Sequence, residues 1–366
     1  MAEKRVTLRD IAGVSGVHLA TVSRVLRNDP QIGIATAKKV RRIAEKMGYK
    51  PDPMLTALSS YRSQIRKPEY HATIAWVTNW FSPQGWNNCA TFDLYIQGAR
   101  ERSERMGYKL EEFWLRERGL TPSRATSILK NRGISGLIVA PQPRPKMRVR
   151  LGWDNFSAVA LGYTMAWPQL NMVTNHHFQA METVVRQVRA HGYRRIGLAV
   201  HHRHGWRSNH AWTGAFLALQ QFWPAEQQVP VMALEGVLST RISEWVKKYR
   251  LDAVISHDSV ASVLETLGFR IPQDIGFATF MGSSEEASSY WAGIDENAYQ
   301  TGAAAVDLVV GMIHRGERGV PKVRQCLLVE ASWREGKTLR FINDPLGGAP
   351  RRDKGAGQRA RVGVES

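Results

Sequence analysis

The sequence predicts a small all-α helix-turn-helix head joined to an α/β core of two lobes with parallel, doubly wound sheets. Near the amino terminus, two short amphipathic segments flank a glycine-containing turn, and a proline-containing linker follows residue 48. From about residue 70 to 342, apolar runs alternate with helical stretches, a rhythm typical of parallel sheets. The chain has 366 residues, 43% of them hydrophobic, which is enough for several buried cores.

The head begins with a helix that Thr7 and Asp10 are expected to cap reciprocally, with Leu8 on its inner side. The turn at 15–17 contains Gly16 and ends this helix, and a second helix follows at 19–26. Apolar residues at three- and four-residue spacing predict a third helix over 35–47.

The second helix has a composition suited to reading DNA. Val22, Val25 and Leu26 fall on one face, while Thr21, Ser23 and Arg24 point elsewhere. Leu19 and Ala20 lie at its exposed amino-terminal end. Hydroxyls and an Arg beside a small buried stripe are typical of a helix that enters the major groove.

The charge distribution supports a polyanion partner. The formal net charge is +18, and residues 1–68 contribute fourteen Lys or Arg against five Asp or Glu, a net of +9. Half of the excess therefore lies in under a fifth of the chain, as expected for a nucleic-acid-binding region.

The linker is the next element. Pro51 and Pro53 end the third helix, and residues 54–61 can form a helix too short to be stable alone. We predict four regions: a head over 1–48, a hinge and linker over 49–69, a core over 70–342, and a basic, disordered tail over 343–366.

Residues 6–58 resemble the lactose/galactose repressor (LacI) family of bacterial transcription regulators. The resemblance lies in VTLRDIA, then TVSRVL, then GYKPD before a Leu-bearing segment. It implies double-stranded operator DNA as partner, with Arg24 reading a base edge and Leu58 wedging into the minor groove; a plain tether is the alternative for the hinge. His18 and Arg27 depart from the family pattern. The DNA-binding set is Thr7, Leu8, His18, Leu19, Ala20, Thr21, Ser23, Arg24, Arg27, Thr36, Tyr49 and Leu58.

In the core, the apolar runs predict strands and the break between lobes falls near 163–168. The predicted strands are 73–77, 110–115, 136–140, 158–161, 195–200, 231–234, 253–256 and 275–280. Ligands of such folds bind at the carboxyl ends of the strands, here between the lobes. The resemblance implies a type I periplasmic-binding-protein-like core that forms a homodimer and holds a small-molecule effector in this cleft.

The cleft departs from the family's sugar-binding pattern. Ala211 stands where the family often has Arg, with Arg207 one turn earlier, and Met281 follows Phe280 where an Asp is usual. Trp80 and other aromatic residues at loop positions favour a carbohydrate effector, while the alternative places most tryptophans in the core or a dimer interface. The effector-binding candidates are Asn79, Phe81, Trp86, Trp206, Arg207, Asn209, His257, Asp258, Met281 and Glu296.

Other function classes receive little support. The histidines at 201–204 suggest a metal site, but no helical ligand pair with a carboxylate accompanies them, and a solvent-facing loop is favoured. We expect no metal, no cofactor and no enzymatic activity, since no nucleophile elbow or phosphate loop occurs. With no apolar run long enough for a membrane span and no signal peptide, we expect a cytoplasmic regulator, with a repressor favoured. A solute-binding protein is the alternative.

Overall fold

The computed structural model describes residues 6–26, 32–49, 72–86, 89–235, 238–281 and 290–342. Three predictions fall outside this part of the chain: the role of Arg27, the hinge helix with Leu58, and the tail over 343–366.

The head consists of α1 (Leu8–Ser15), α2 (Leu19–Leu26) and α3 (Ile34–Lys46). The predicted capping box is present: the Thr7 backbone N–H donates to Asp10 Oδ2 at 2.7 Å, and the Asp10 N–H donates to Thr7 Oγ1 at 3.4 Å. Gly16 ends α1 with φ of 70°, a left-handed conformation that favours glycine. The three helices bury one small shared core, formed by Ile11, Val22, Val25, Val40 and Ala44.

The first lobe contains a six-stranded parallel sheet in the order β13-β7-β5-β3-β1-β2. Its strands are β1 (Ala72–Thr78), β2 (Tyr108–Trp114), β3 (Ile134–Val139), β5 (Ser157–Leu161), β7 (Asn171–Asn175) and β13 (Cys326–Val329). β4 (Met147–Arg148) and β6 (Met165–Trp167) form a separate parallel pair. Helices α4 (Ala90–Arg105) and α11 (Ala298–Arg315) cover one face of the sheet, and α5 (Pro122–Asn131) covers the other.

The second lobe repeats this architecture. Its sheet order is β14-β12-β11-β10-β8-β9, with only the β12–β14 pair antiparallel among the described pairings. The strands are β8 (Ile196–His201), β9 (Met232–Leu234), β10 (Ala253–Ser256), β11 (Gly276–Thr279), β12 (Gly293–Asp295) and β14 (Ser332–Arg334). Helices α6 (His177–Ala190) and α8 (Ala211–Gln220) pack on one face, while α9 (Leu238–Tyr249) and α10 (Asp258–Thr266) lie on the other.

The chain crosses between the lobes three times, after β7, after β12 and after β13. The predicted break near 163–168 is therefore wrong, because β7 pairs with β5 and β13 within the first sheet. β7 escaped prediction since it begins and ends with Asn and offers only a short apolar centre. The three crossings place the carboxyl ends of both sheets at one cleft, as predicted for ligand binding.

The eight predicted strands are all present, with bounds that differ by at most two residues. Three of the eight, β5, β10 and β11, are completely buried, which explains why continuous apolar runs identified them. In the part of the chain described here, we find no helix long and apolar enough to span a membrane.

Candidate DNA-binding surface and interlobe cleft

The recognition helix α2 has the predicted division into a buried and an exposed side. Val22 and Val25 are fully buried in the head core, whereas Leu19, Ala20 and Arg24 are exposed. The Ala20 backbone N–H donates to His18 Nδ1 at 3.3 Å, so His18 caps the start of this helix. The His18 cap therefore holds the amino-terminal end of α2. The exposed side of α2 faces solvent.

The other predicted DNA contacts are distributed over the three helices of the head and the residues next to them. Thr7 is exposed at the cap of α1, and Thr21, Ser23, Thr36 and Tyr49 are half-buried. Leu8 and Tyr49 also pack against the head core, so each has a structural role. Four cations of α3 face solvent on the outer side of the head: Lys38, Lys39, Arg41 and Arg42.

In the cleft, Asn79 lies at the centre of a polar network on the first lobe. Its Nδ2 donates to Gln142 Oε1 at 3.1 Å, and Arg116 Nε donates to Asn79 Oδ1 at 3.1 Å. Gln142 is completely buried and is itself held by the Thr164 hydroxyl and by Ala140 O. This network follows the ends of β1 and β3 and gives the first lobe a fixed polar wall.

Two predicted aromatic residues carry cations on their rings. Phe81 is 55% exposed, and its ring centroid lies 4.6 Å from the Arg116 guanidinium and 5.1 Å from the Arg144 guanidinium. Lys146 Nζ lies 4.3 Å from the ring centroid of Trp206, a contact that joins the two lobes. Both rings therefore take part in cation–π contacts.

Arg207 makes the second contact across the cleft. It ends α7 (His202–Arg207), and its Nη1 donates to Gln142 O at 3.1 Å while the guanidinium lies 5.3 Å from the Phe92 ring. Burial lowers the pKa of Arg207, and the nearby Cys89 and Tyr95 oppose that effect. A guanidinium retains its charge in proteins, so the second lobe inserts a cation into the first.

His257 pairs with a residue that sequence reasoning did not select. His204 Nδ1 and His257 Nε2 are in hydrogen-bond contact, and Phe280 packs edge-on against His257. Burial, followed by the charge of neighbouring His201, lowers the pKa of His257 to about 4. Burial and several cationic neighbours, His257 first, lower the pKa of His204 to about 3. Both imidazoles are therefore neutral near pH 7.

The histidine segment itself differs from the expectation of a solvent-facing loop. Residues 202–207 form the short helix α7, and His204 is half-buried on it while His201 and His202 are exposed. Within the described residues, no group of three or more His, Cys, Asp or Glu side chains is arranged to hold a metal ion.

Glu296 lies at the back of the cleft, where the chain crosses between the lobes. The residue is 4% exposed, and its Oε1 lies 3.5 Å from His177 Nδ1. Asn175 Nδ2 donates to Glu296 O, and the Tyr95 hydroxyl donates to Asn175 Oδ1 at 2.7 Å. Burial, with Glu296 nearby, raises the pKa of Tyr95 well above its usual value.

The remaining effector candidates occupy different surroundings. Trp86 is 3% exposed and packs on Trp76 in the first-lobe core, and Met281 packs against the second-lobe core. Asn209 is exposed with φ of 53°, and Asp258 is exposed with its Oδ1 accepting from the Ser259 N–H at 2.7 Å.

Several cleft residues were missed because the sequence does not show how the lobes face each other. They are Tyr95, Arg116, Gln142, Arg144, Lys146, His177 and His204. His204 alone carried a signal, since it belongs to a histidine-rich segment that directly follows a strand.

The architecture is that of a helix-turn-helix protein with a two-lobed binding core. The family described as "Bacterial regulatory proteins, lacI family" matches residues 7–52, and a "Periplasmic binding protein-like domain" matches residues 185–338. These matches identify a LacI-family helix-turn-helix domain at the amino terminus and a periplasmic-binding-protein-like domain in the core.

Curated relatives match over shorter stretches. The HTH-type transcriptional regulator GntR of Escherichia coli K12 is 26% identical over 168 residues, 43% of this chain and 50% of GntR. PtxS of Pseudomonas putida KT2440 is 42% identical over 64 residues, 17% of this chain and 18% of PtxS. The chain thus spans half or less of the length of these relatives.

Solved structures share the fold over a larger part of the chain. The lac repressor dimer bound to operator and the anti-inducer ONPF has a TM-score of 0.52 at 18% identity, covering 92% of this chain and all of that one. A LacI-family protein from Rhizobium etli has a TM-score of 0.57 at 16% identity, covering 75% of this chain and all of its own. The CelR–cellobiose complex has a TM-score of 0.50 at 19% identity, covering 91% of this chain and 100% of the CelR chain.

Proposed function

We propose that this protein is a sequence-specific DNA-binding transcription regulator, with repression as the favoured sign. Two heads of a homodimer bind a pseudo-palindromic double-stranded operator, and a small-molecule effector in the interlobe cleft controls them. The regions proposed are a head over 1–48, a hinge over 49–69, a core over 70–342 and a tail over 343–366. The observation that carries the proposal is the exposed edge of α2, formed by Leu19, Ala20 and Arg24 on a rigid, basic head.

Each exposed residue of α2 has a proposed task. Arg24 donates to a guanine edge in the major groove, the commonest specific contact of this kind. Leu19 and Ala20 have no side-chain hydrogen-bonding groups, so they contribute apolar contacts to thymine methyls. Thr7, Thr21, Ser23, Thr36 and Tyr49 orient the head on phosphates.

The effector site is proposed from position. The segments after β1, β3, β8 and β10 meet between the lobes, and Asn79, Arg207 and His257 lie among them. The CelR complex has cellobiose in its name, and a carbohydrate-like effector is proposed here too. Closure of the lobes on that effector changes the separation of the two heads.

Enzymatic and solute-binding functions are the other candidates. The relatives matched are named as transcriptional regulators, which favours regulation over catalysis. Solute binding alone does not require a basic helix-turn-helix head, so the presence of the head favours regulation.

The experiment is selection of binding sites from random duplex DNA by the full chain, followed by affinity measurements on the selected site. We expect a pseudo-palindrome. Arg24→Ala should weaken specific binding by about 1–3 kcal/mol, roughly 5- to 150-fold, while binding to unrelated duplex changes little.

Arg42→Ala is the matched control, since Arg42 is an exposed cation on α3, the helix that follows the recognition helix. It should weaken specific and non-specific binding alike. Equal binding of the selected site by wild type and Arg24→Ala would refute the assignment of α2.

A further inference from the structure

We propose that the effector is an anion, a small sugar derivative that carries a carboxylate or a phosphate. This inference rests on the proposed function, because it assigns a chemical class to the ligand of the same cleft. It goes beyond a carbohydrate effector in general, since a neutral sugar provides no partner for the charges described below.

The first observation is the excess of cations. Arg116, Arg144, Lys146 and Arg207 converge on the cleft, and within the described ranges no carboxylate lies within 4 Å of any of them. Surface cations elsewhere in the core do pair with acids, as Arg102 does with Asp307 at 2.7 Å. Glu296, the carboxylate at the back of the cleft, lies against His177 instead of these four cations. An excess of positive charge in a cleft with low-dielectric walls concentrates anionic ligands.

The second observation is the partial burial of Arg207. Its described neighbours are a main-chain carbonyl, the Phe92 ring, the Cys89 thiol and the Tyr95 hydroxyl, and no carboxylate is among them. A buried charge is costly unless a counter-charge and hydrogen bonds compensate it. Among the described residues, the Arg207 side chain donates one hydrogen bond, so most of its donors remain available to a carboxylate or phosphate oxygen.

The third observation concerns the aromatic rings that the sequence suggested for stacking on a sugar. Arg116 and Arg144 lie near the Phe81 ring, and Lys146 lies over Trp206. A neutral sugar that stacks on the same ring faces competes with these cations. An anion instead binds the cations where they lie, because the aromatic rings hold the Arg and Lys side chains in position through cation–π contacts.

Hydroxyl groups of the ligand have partners beside the charges. Asn79 is half-buried at the polar wall of the first lobe, and the exposed His201 and His202 lie at the end of β8 on the second lobe. Because Arg207 already bridges the lobes, an anion bound there contacts both of them and stabilises the closed arrangement.

The test compares glucose, glucuronate and glucose 6-phosphate by calorimetry on the full chain at constant ionic strength, with inorganic phosphate as a simpler probe. We expect at least one anion to bind about tenfold or more tightly than glucose, and Arg207→Gln to remove that preference. Tighter binding of glucuronate would indicate a carboxylate effector, and tighter binding of glucose 6-phosphate would indicate a phosphate effector. The melting temperature of wild type should also rise more with phosphate than that of Arg207→Gln.

Controls define how the proposal fails. Arg186→Gln, an exposed arginine on α6, should behave as wild type. If Arg207→Gln loses its cooperative melt, Lys146→Met at an exposed position replaces it, with about a threefold loss expected. The proposal is overturned if glucose binds as tightly as the anions, or if no anion, phosphate included, distinguishes wild type from these variants.

One further measurement tests for intact DNA binding. Binding of the full chain to its selected DNA site, measured without ligand, tests the proposed function independently. Failure of the anion preference with intact DNA binding therefore refutes only this inference.

Discussion

At the scale of single residues, the half-buried pair of His204 and His257 makes stability depend on pH. The pKa of His257 is lowered from 6.5 to about 4, chiefly by burial, so the folded state favours the neutral imidazole. The folded state is therefore fully stabilised above pH 6.5 and loses this contribution as the pH falls toward 4. When the pH falls from about 7.5 to about 5, we expect protonation linked to His257 alone to lower the free energy of unfolding by about 2 kcal/mol.

Thermal melts of the full chain across this pH range test the effect. His257→Gln should flatten the pH dependence, whereas His202→Gln, an exposed neighbour on α7, should leave it unchanged. A wild-type melting temperature that is constant from pH 7.5 to pH 5 would show that these imidazoles are not buried as described.

At the scale of elements, the crossing of α4 and α11 depends on two glycines. A Cβ added at Gly98 lies 1.9 Å from Tyr299 O, and one added at Gly302 lies 1.9 Å from Tyr95 O. These contacts are with main chain, so the helices have to separate. We expect Gly98→Ala or Gly302→Ala to destabilise the first lobe by about 2–3 kcal/mol, measured by denaturant unfolding.

Gly214→Ala is the matched control for that prediction. Gly214 also lies within a helix, α8, but a Cβ there has nothing within 4 Å. The substitution should stabilise by up to about 1 kcal/mol through the greater helix propensity of Ala. Equal effects at positions 98 and 214 would contradict the close crossing.

Elements were predictable where one local signal dominated. The bounds of α2 follow from Gly16 and the apolar spacing, and buried strands such as β10 follow from their continuous apolar runs. Strands β7, β12 and β14 were missed because each is short or ends in polar residues, and only pairing with distant strands fixes them.

The same distinction applies to the candidate cleft. His257 and Arg207 were found because the family resemblance marks positions at or near them: Arg207 lies one turn before Ala211, and His257 precedes Asp258. Their partners His204 and Gln142 were not found, because those contacts depend on side-chain orientation and on closure of one lobe against the other.

At the scale of the whole molecule, the charge distribution determines how operator binding responds to salt. Residues 1–68 carry +9 of the net +18, so the charge concentrates at the proposed DNA-binding end. Each phosphate neutralised releases a counter-ion, and an interface of about 6–10 phosphates loses about 10³–10⁵ in affinity between about 50 and 200 mM salt. We expect the affinity of the full chain for its complete selected site to fall by a factor in this range.

The same measurement tests dimeric binding when it is repeated on a duplex carrying a single half-site. A dimer that places both heads on DNA should show about half the salt slope there and a far lower affinity, because only one head finds its sequence. Substitutions at the Lys38–Arg42 face of α3 should reduce both slopes in proportion. Identical slopes and affinities on the two duplexes would mean that one head binds alone, and that the core does not pair two heads on an operator.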